Sequence, residues 1–177
     1  KTILDKLPAT ALLSFGALFI SSILGILIGI ISAVKQYTWL DNTSMIFALI
    51  GISFPSFAFG LIMALVFGHL LKWFPISGYV NDGLQYLVLP MLTLALRPMA
   101  ITARITRSSM MDVMSQDYVR TAKAKGLSSG IVIFKHTLRN ALNPVVTTIS
   151  ASLAATLGGV FFIEYIFNWP GIGLLAI

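Results

Sequence analysis

The chain has 177 residues, 57% of them hydrophobic and only 10% charged, with a mean hydropathy of +0.91; this balance excludes an ordinary soluble domain and points to an integral membrane protein. The net charge of +6 would suit a nucleic-acid partner, but seven of the twelve Lys and Arg lie between Arg104 and Arg139, beside apolar spans, which favours a cytoplasmic membrane face and no nucleic acid. Cysteine is absent, so neither a disulfide framework nor a thiolate metal site is available.

The chain begins at Lys1 without methionine and reaches Ile177 a few residues into a new apolar segment. It reads as a piece of a longer protein, with an N-terminal helix region and a C-terminal span missing. Residues 9–34 carry no charge over 26 positions, enough at 1.5 Å per residue to cross the roughly 30 Å hydrocarbon layer with room to tilt. Gly25 and Gly29 make a G-x-x-x-G pair suited to close helix packing inside a bundle. A short polar connection, Lys35 to Asn42, follows.

The next apolar stretch, residues 43–71, is interrupted by Phe54-Pro55, and its simplest reading is one long span kinked at the proline. Residues 72–85 hold Trp73, Pro75, Gly78, Tyr79 and Asp82 and read as an exposed interfacial loop. The third span, residues 86–103, carries Pro90, Pro98 and a single internal charge, Arg97. An intramembrane arginine is costly, so Arg97 is a candidate for the lining of a pathway; snorkelling or a bond to a neighbouring helix is the competing explanation. From Arg104 the helix continues as ARITRSSMMDVM, whose methionines read as packing residues rather than a soft-metal site.

Residues 117–144, DYVRTAKAKGLSSGIVIFKHTLRNALNP, form the long polar interruption. A helix to Lys125 should stop at Gly126, Ser128 or Ser129 should cap a second helix to Leu142, and Asn143-Pro144 should break or kink the chain before the last span, residues 141–163. Glu164 then leads into Tyr165-Ile166-Phe167-Asn168-Trp169-Pro170-Gly171-Ile172-Gly173, an aromatic, turn-rich interfacial cluster. The charges place the basic segment 104–139 and the 35–42 connection in the cytoplasm, and Lys1, 72–85 and 164–173 outside.

Three stretches carry a family resemblance. Asp117-Tyr118-Val119-Arg120-Thr121-Ala122-Lys123-Ala124-Lys125-Gly126-Leu127, with Leu138-Arg139-Asn140-Ala141-Leu142 and Pro144, resembles the cytoplasmic EAA coupling loop of binding-protein-dependent ABC importer permeases, most closely the dipeptide, oligopeptide and nickel branch. Gly51-Ile52-Ser53-Phe54-Pro55-Ser56-Phe57 and Glu164 to Gly173 are similar to stretches of the same permeases. The general pattern wants Glu-Ala-Ala where this chain has Arg120, Thr121 and Ala122, a departure that suits the peptide and nickel branch better than a sugar or amino-acid permease.

The resemblance implies an all-α, polytopic bundle: a single membrane domain over 1–177, about four complete spans, and a cytoplasmic coupling helix within 104–139. It implies a multi-pass prokaryotic inner-membrane protein that imports peptides or nickel and other metal chelates. Its partners would be a second homologous permease, two cytoplasmic ATPases, an external substrate-binding protein and the lipid membrane. In the coupling loop Gly126 would supply the turn, Ala122 and Ala124 the close contact, and Arg120, Lys123 and Lys125 the polar anchoring, with Asp117, Tyr118, Thr121 and Leu127 completing the element. Ser53, Pro55 and Arg97 are the candidates for the translocation pathway, and movement would follow alternating access.

The chain itself is not expected to be an enzyme or to hold a cofactor or metal. It has no Gly-Lys-Ser/Thr phosphate loop, no H-E-x-x-H pair and no Gly-x-Ser-x-Gly elbow. No carboxylate falls in the middle of a span, which weighs against one alternative, an ion-coupled carrier. A second alternative is a membrane scaffold whose basic loop docks a cytosolic protein.

Overall fold

A computed structural model describes residues 2–175, and every regular element among them is helical. In order the α-helices are α1 (Thr2–Val34), α2 (Trp39–Ser53), α3 (Ser56–Leu70), α4 (Gln85–Met114), α5 (Asp117–Ala124) and α6 (Ser129–Ile166), with single 3-10 turns at Val80–Asp82 and Gly173–Leu175. Two stretches are π-helical: Ala64–Leu70, which ends α3, and Val132–Leu138 inside α6. Lys1 and the end of the chain at Ala176 and Ile177, which entered the reading of topology and completeness, lie outside the described residues.

Among the described residues three helices, α1, α4 and α6, are long and apolar enough to cross a membrane, and the bent pair α2–α3 makes a fourth if counted as one span. That pair corrects the expectation of a single kinked helix over 43–71. α2 and α3 meet at 106°, and at 15 residues each they are only about 22 Å long, shorter than the hydrocarbon layer. The cause is local. The ring of Pro55 pushes the preceding residue out of the α region, so Phe54 is extended (φ −79°, ψ 127°), and Pro55 itself (φ −62°, ψ 131°) continues the extended segment.

Of the break or kink expected at Asn143-Pro144, the break is not found. α6 runs without interruption through Pro144, because the residues on either side, Ala141 and Val145, are buried and hold the helix against its neighbours. The irregularity lies one to three turns earlier, in the wide turns of Val132–Leu138, where the Thr137 hydroxyl donates to the Val132 carbonyl at 3.1 Å. Ser128 occupies the N-cap position of α6 in extended geometry but makes no side-chain capping bond.

α1 and α4 pack along each other at the centre, with α6 and the bent pair against α4. The glycine pair of α1 faces this seam: a Cβ on Gly25 would meet the Met99 carbonyl and Thr102, and one on Gly29 would meet Thr106 and the Ala103 carbonyl. The pair therefore brings two helices of the same chain together. One apolar cluster, including Leu13, Leu89, Ile163 and Trp169, fills one end of the bundle, and Ile30, Ala33, Met110 and Ala141 fill the other. The 35–42 connection shares an end with the basic segment, while the 72–85 and 164–173 loops meet at the opposite end, where the rings of Tyr79 and Trp169 stand edge to face at 5.0 Å.

Candidate functional site

At the basic end, α5 sits across the ends of α4 and α6. It is helical for a mixed reason: Asp117 in its first turn and Lys123 in its last suit the helix dipole, and Val119 and Ala122, one turn apart, share an apolar face. Both are buried, and with Val132 of α6 and Val113 of α4 they form a small core. The helix ends in a Schellman arrangement. Gly126 has φ +78°, its N–H reaches the Lys123 carbonyl at 2.9 Å, and the Leu127 N–H reaches the Ala122 carbonyl at 3.4 Å.

This geometry divides the predicted coupling residues into two sets. Asp117, Tyr118, Arg120, Thr121, Lys123, Ala124, Lys125, Gly126 and Leu127 are exposed, whereas Ala122 is buried beneath the helix against its own chain. Arg120 and Asp117 lie 3.8 Å apart in a solvated pair that contributes little. Tyr118 is tethered: Asn140 of α6 donates to its hydroxyl at 2.9 Å. The Leu-Arg-Asn-Ala-Leu stretch thus supports α5 from below.

Beside it lies an ion pair that sequence reasoning missed. Asp41, at the start of α2 and 1% exposed, accepts from Arg107 of α4 in a two-pronged contact, Nε to Oδ1 at 2.6 Å and Nη2 to Oδ2 at 2.7 Å. Its remaining acceptor positions are taken by the Ser32 hydroxyl of α1 at 2.5 Å and the Tyr37 N–H at 2.9 Å. One carboxylate therefore ties α1, the connection, α2 and α4 together, and its partner Arg107 lies ten residues before α5 begins. The available signal was that Asp41 is the one acidic residue in a connection placed at the cation-rich end.

The three pathway candidates fall near the bend. Ser53 and Pro55 are exposed on either side of it. Arg97 is also exposed and lines a cleft of about 190 Å³ with Ser56, at the start of α3, and Ser152 and Thr156 of α6. The described residues give it no carboxylate within salt-bridge distance.

At the opposite end Glu164 is fully buried, and the turn after it folds back around its carboxylate. Thr10 of α1 donates to Oε1 at 2.6 Å, the Gly173 N–H donates to Oε2 at 2.6 Å, and the Ile172 N–H in turn donates to the Thr10 hydroxyl at 2.8 Å. Trp169 donates its indole N–H to the Ala9 carbonyl at 3.0 Å. A Cβ at Gly171 or Gly173 would collide with the carboxylate, so the Glu-to-Gly motif is a clasp that fastens α6 to the first turns of α1.

The described residues form an all-helical bundle with a bent helix pair and a basic elbow at one end. A solved structure, the crystal structure of an amino acid ABC transporter with histidines, has the same fold, with a TM-score of 0.72 over 99% of this chain and 76% of that one at 14% identity. The chain belongs to the binding-protein-dependent transport system inner membrane component family, whose model matches residues 25–177. A Brucella suis protein provisionally assigned as a peptide permease is 44% identical over 183 residues, covering 99% of this chain and 57% of that protein. The glutathione transport system permease protein GsiC of Escherichia coli is 43% identical over 175 residues, covering 99% of this chain and 56% of GsiC. The chain spans a little over half the length of the curated relatives it matches.

Proposed function

We propose that this chain forms the membrane pathway of an ATP-driven importer of small peptides and takes up the motion of cytoplasmic ATPases through α5. The observation that carries the reading is the shape of α5: a short helix seated on Val119 and Ala122, with its charged and small residues turned outward. Ala124, Thr121 and Arg120 lie on the outward side, where a partner groove can approach the backbone, and Ala122 serves as the seat. In this reading a second permease subunit completes the pathway, two ATPases drive it, and an external binding protein delivers the substrate. The names of the two relatives favour peptides over nickel or metal chelates.

The chain has no cysteine, which gives a direct test. Cysteine is placed at Ala124 in the full-length protein and at positions around the docking cleft of the co-expressed ATPase, and disulfide formation is scored with and without nucleotide. Strong crosslinking that changes on adding ATP is expected. Absence of any crosslink from Ala124 and its exposed neighbours, with both proteins assembled in the membrane, would leave the loop a solvated basic connection, and the importer reading would give way to a carrier or a scaffold.

A further inference from the structure

We infer that Arg97 and the start of α3 form a subsite for the carboxylate of a small peptide on its way through the bundle. The inference rests on the permease reading above and names the substrate chemistry of the same pathway.

Arg97 lies twelve residues from the start of α4 and ten from the Asp41–Arg107 pair, about 18 Å and 15 Å along the helix axis. Such a cation is deep between the two ends of the bundle. An arginine at that depth requires water, a protein carboxylate or a ligand anion, and no carboxylate of the described residues reaches it. Arg107, on the same helix, shows the alternative within this chain: there Asp41 supplies both oxygens.

What faces Arg97 adds to its positive field. The 106° break turns the first residue of α3, Ser56, into the same cleft. Pro55 occupies the N-cap and provides no side-chain cap, and the first intrahelical bond is from the Phe59 N–H to the Pro55 carbonyl at 3.1 Å. The amides of residues 56–58 therefore precede the hydrogen-bonded part of the helix and carry its positive end. The other polar groups in the cleft do not oppose this charge: the hydroxyls of Ser152 and Thr156 donate to carbonyls of their own helix at 2.9 and 2.7 Å. The guanidinium fork of Arg97 matches the two oxygens of a carboxylate, and Ser56, at the N-terminal end of α3, lines the same cleft. At about 190 Å³ the cleft is smaller than the roughly 300 Å³ of a whole-ligand pocket, as befits a subsite for one end of a peptide.

The test uses the full-length permease assembled with its ATPases in phosphatidylcholine nanodiscs, where no anionic headgroup competes. Equilibrium binding of radiolabelled trialanine and of its C-terminal amide is measured for the wild type, Arg97→Gln and Arg97→Lys. The wild type is expected to hold the free acid about 10- to 100-fold more tightly than the amide, the range of one charge-assisted contact. Arg97→Gln should bind both at the amide's level, and Arg97→Lys should keep part of the preference, which a merely misfolded variant would not. Equal binding of acid and amide by the wild type, no saturable binding of either, or undiminished acid binding by Arg97→Gln would overturn the subsite. Uptake into proteoliposomes supplied with the binding protein separates this from failure of the permease reading. ATP-driven uptake without an acid preference in binding removes only the subsite, whereas an assembled, ATP-hydrolysing complex that takes up neither peptide removes both.

Discussion

Asp41 owes its place to four directed bonds from three segments, and that arrangement determines what its loss does. Removing the charge while leaving Arg107 strands a cation that is only 22% exposed, the costly half of a broken pair. Asp41→Asn is therefore expected to lower stability by about 3–5 kcal/mol, read as a fall in thermal midpoint of the purified protein. Replacing both partners together, Asp41→Asn with Arg107→Met, should cost less than Asp41→Asn alone. An equal or greater loss in the double variant would mean that packing rather than charge holds this corner.

Among the elements, α5 isolates a prediction because its seat is small, although it shares Val113 with the neighbouring cluster of Ile30, Ala33, Met110 and Ala141. Val119→Asp places a charge among Ala122, Val132 and Val113, where no partner awaits it, at a cost of a few kcal/mol. We expect α5 to leave its seat while the long helices stay packed. The ATPases should no longer co-purify, yet the thermal midpoint of the membrane bundle should move little; a collapse of both would show that α5 belongs to the main core. This element was legible in the sequence: alternating cations and small residues ended by Gly126 specify a short, capped helix by local chemistry alone. The bend was legible only in part. Phe54-Pro55 announces a disturbance, but its size depends on what α3 packs against, and Gly60 lies against Thr93, Ile163 and Ile166 of two other helices, contacts that no local pattern contains. Pro144 failed in the opposite direction, since burial of Ala141 and Val145 overrides a breaker that propensity alone would honour. The Asp41–Arg107 pair joins residues 66 apart, and the Glu164 carboxylate is bound by Thr10 from 154 residues away; neither partnership leaves a periodic trace.

For the whole molecule, the permease reading places the energy source outside this chain. Uptake of trialanine by the reconstituted complex is therefore expected to persist when ionophores collapse proton and sodium gradients, and to stop when ATP is withdrawn. The reverse dependence would point to an ion-coupled carrier. The distribution of charge agrees with this expectation: Asp41 is paired with Arg107 at one end and Glu164 is bonded within its clasp at the other, so both buried carboxylates are taken up by partners in the chain itself.

The clasp at Glu164 also sets a schedule for synthesis. Thr10 and the Ala9 carbonyl are made early, but their partners Glu164 and Trp169 emerge more than 150 residues later. At about 5–20 residues per second the first helix waits roughly 8–30 s in the bilayer with that end unfastened. A chain whose translation stalls before Glu164 never closes the clasp, and its first helix is left without the bonds that Glu164 and Trp169 bring to Thr10 and Ala9.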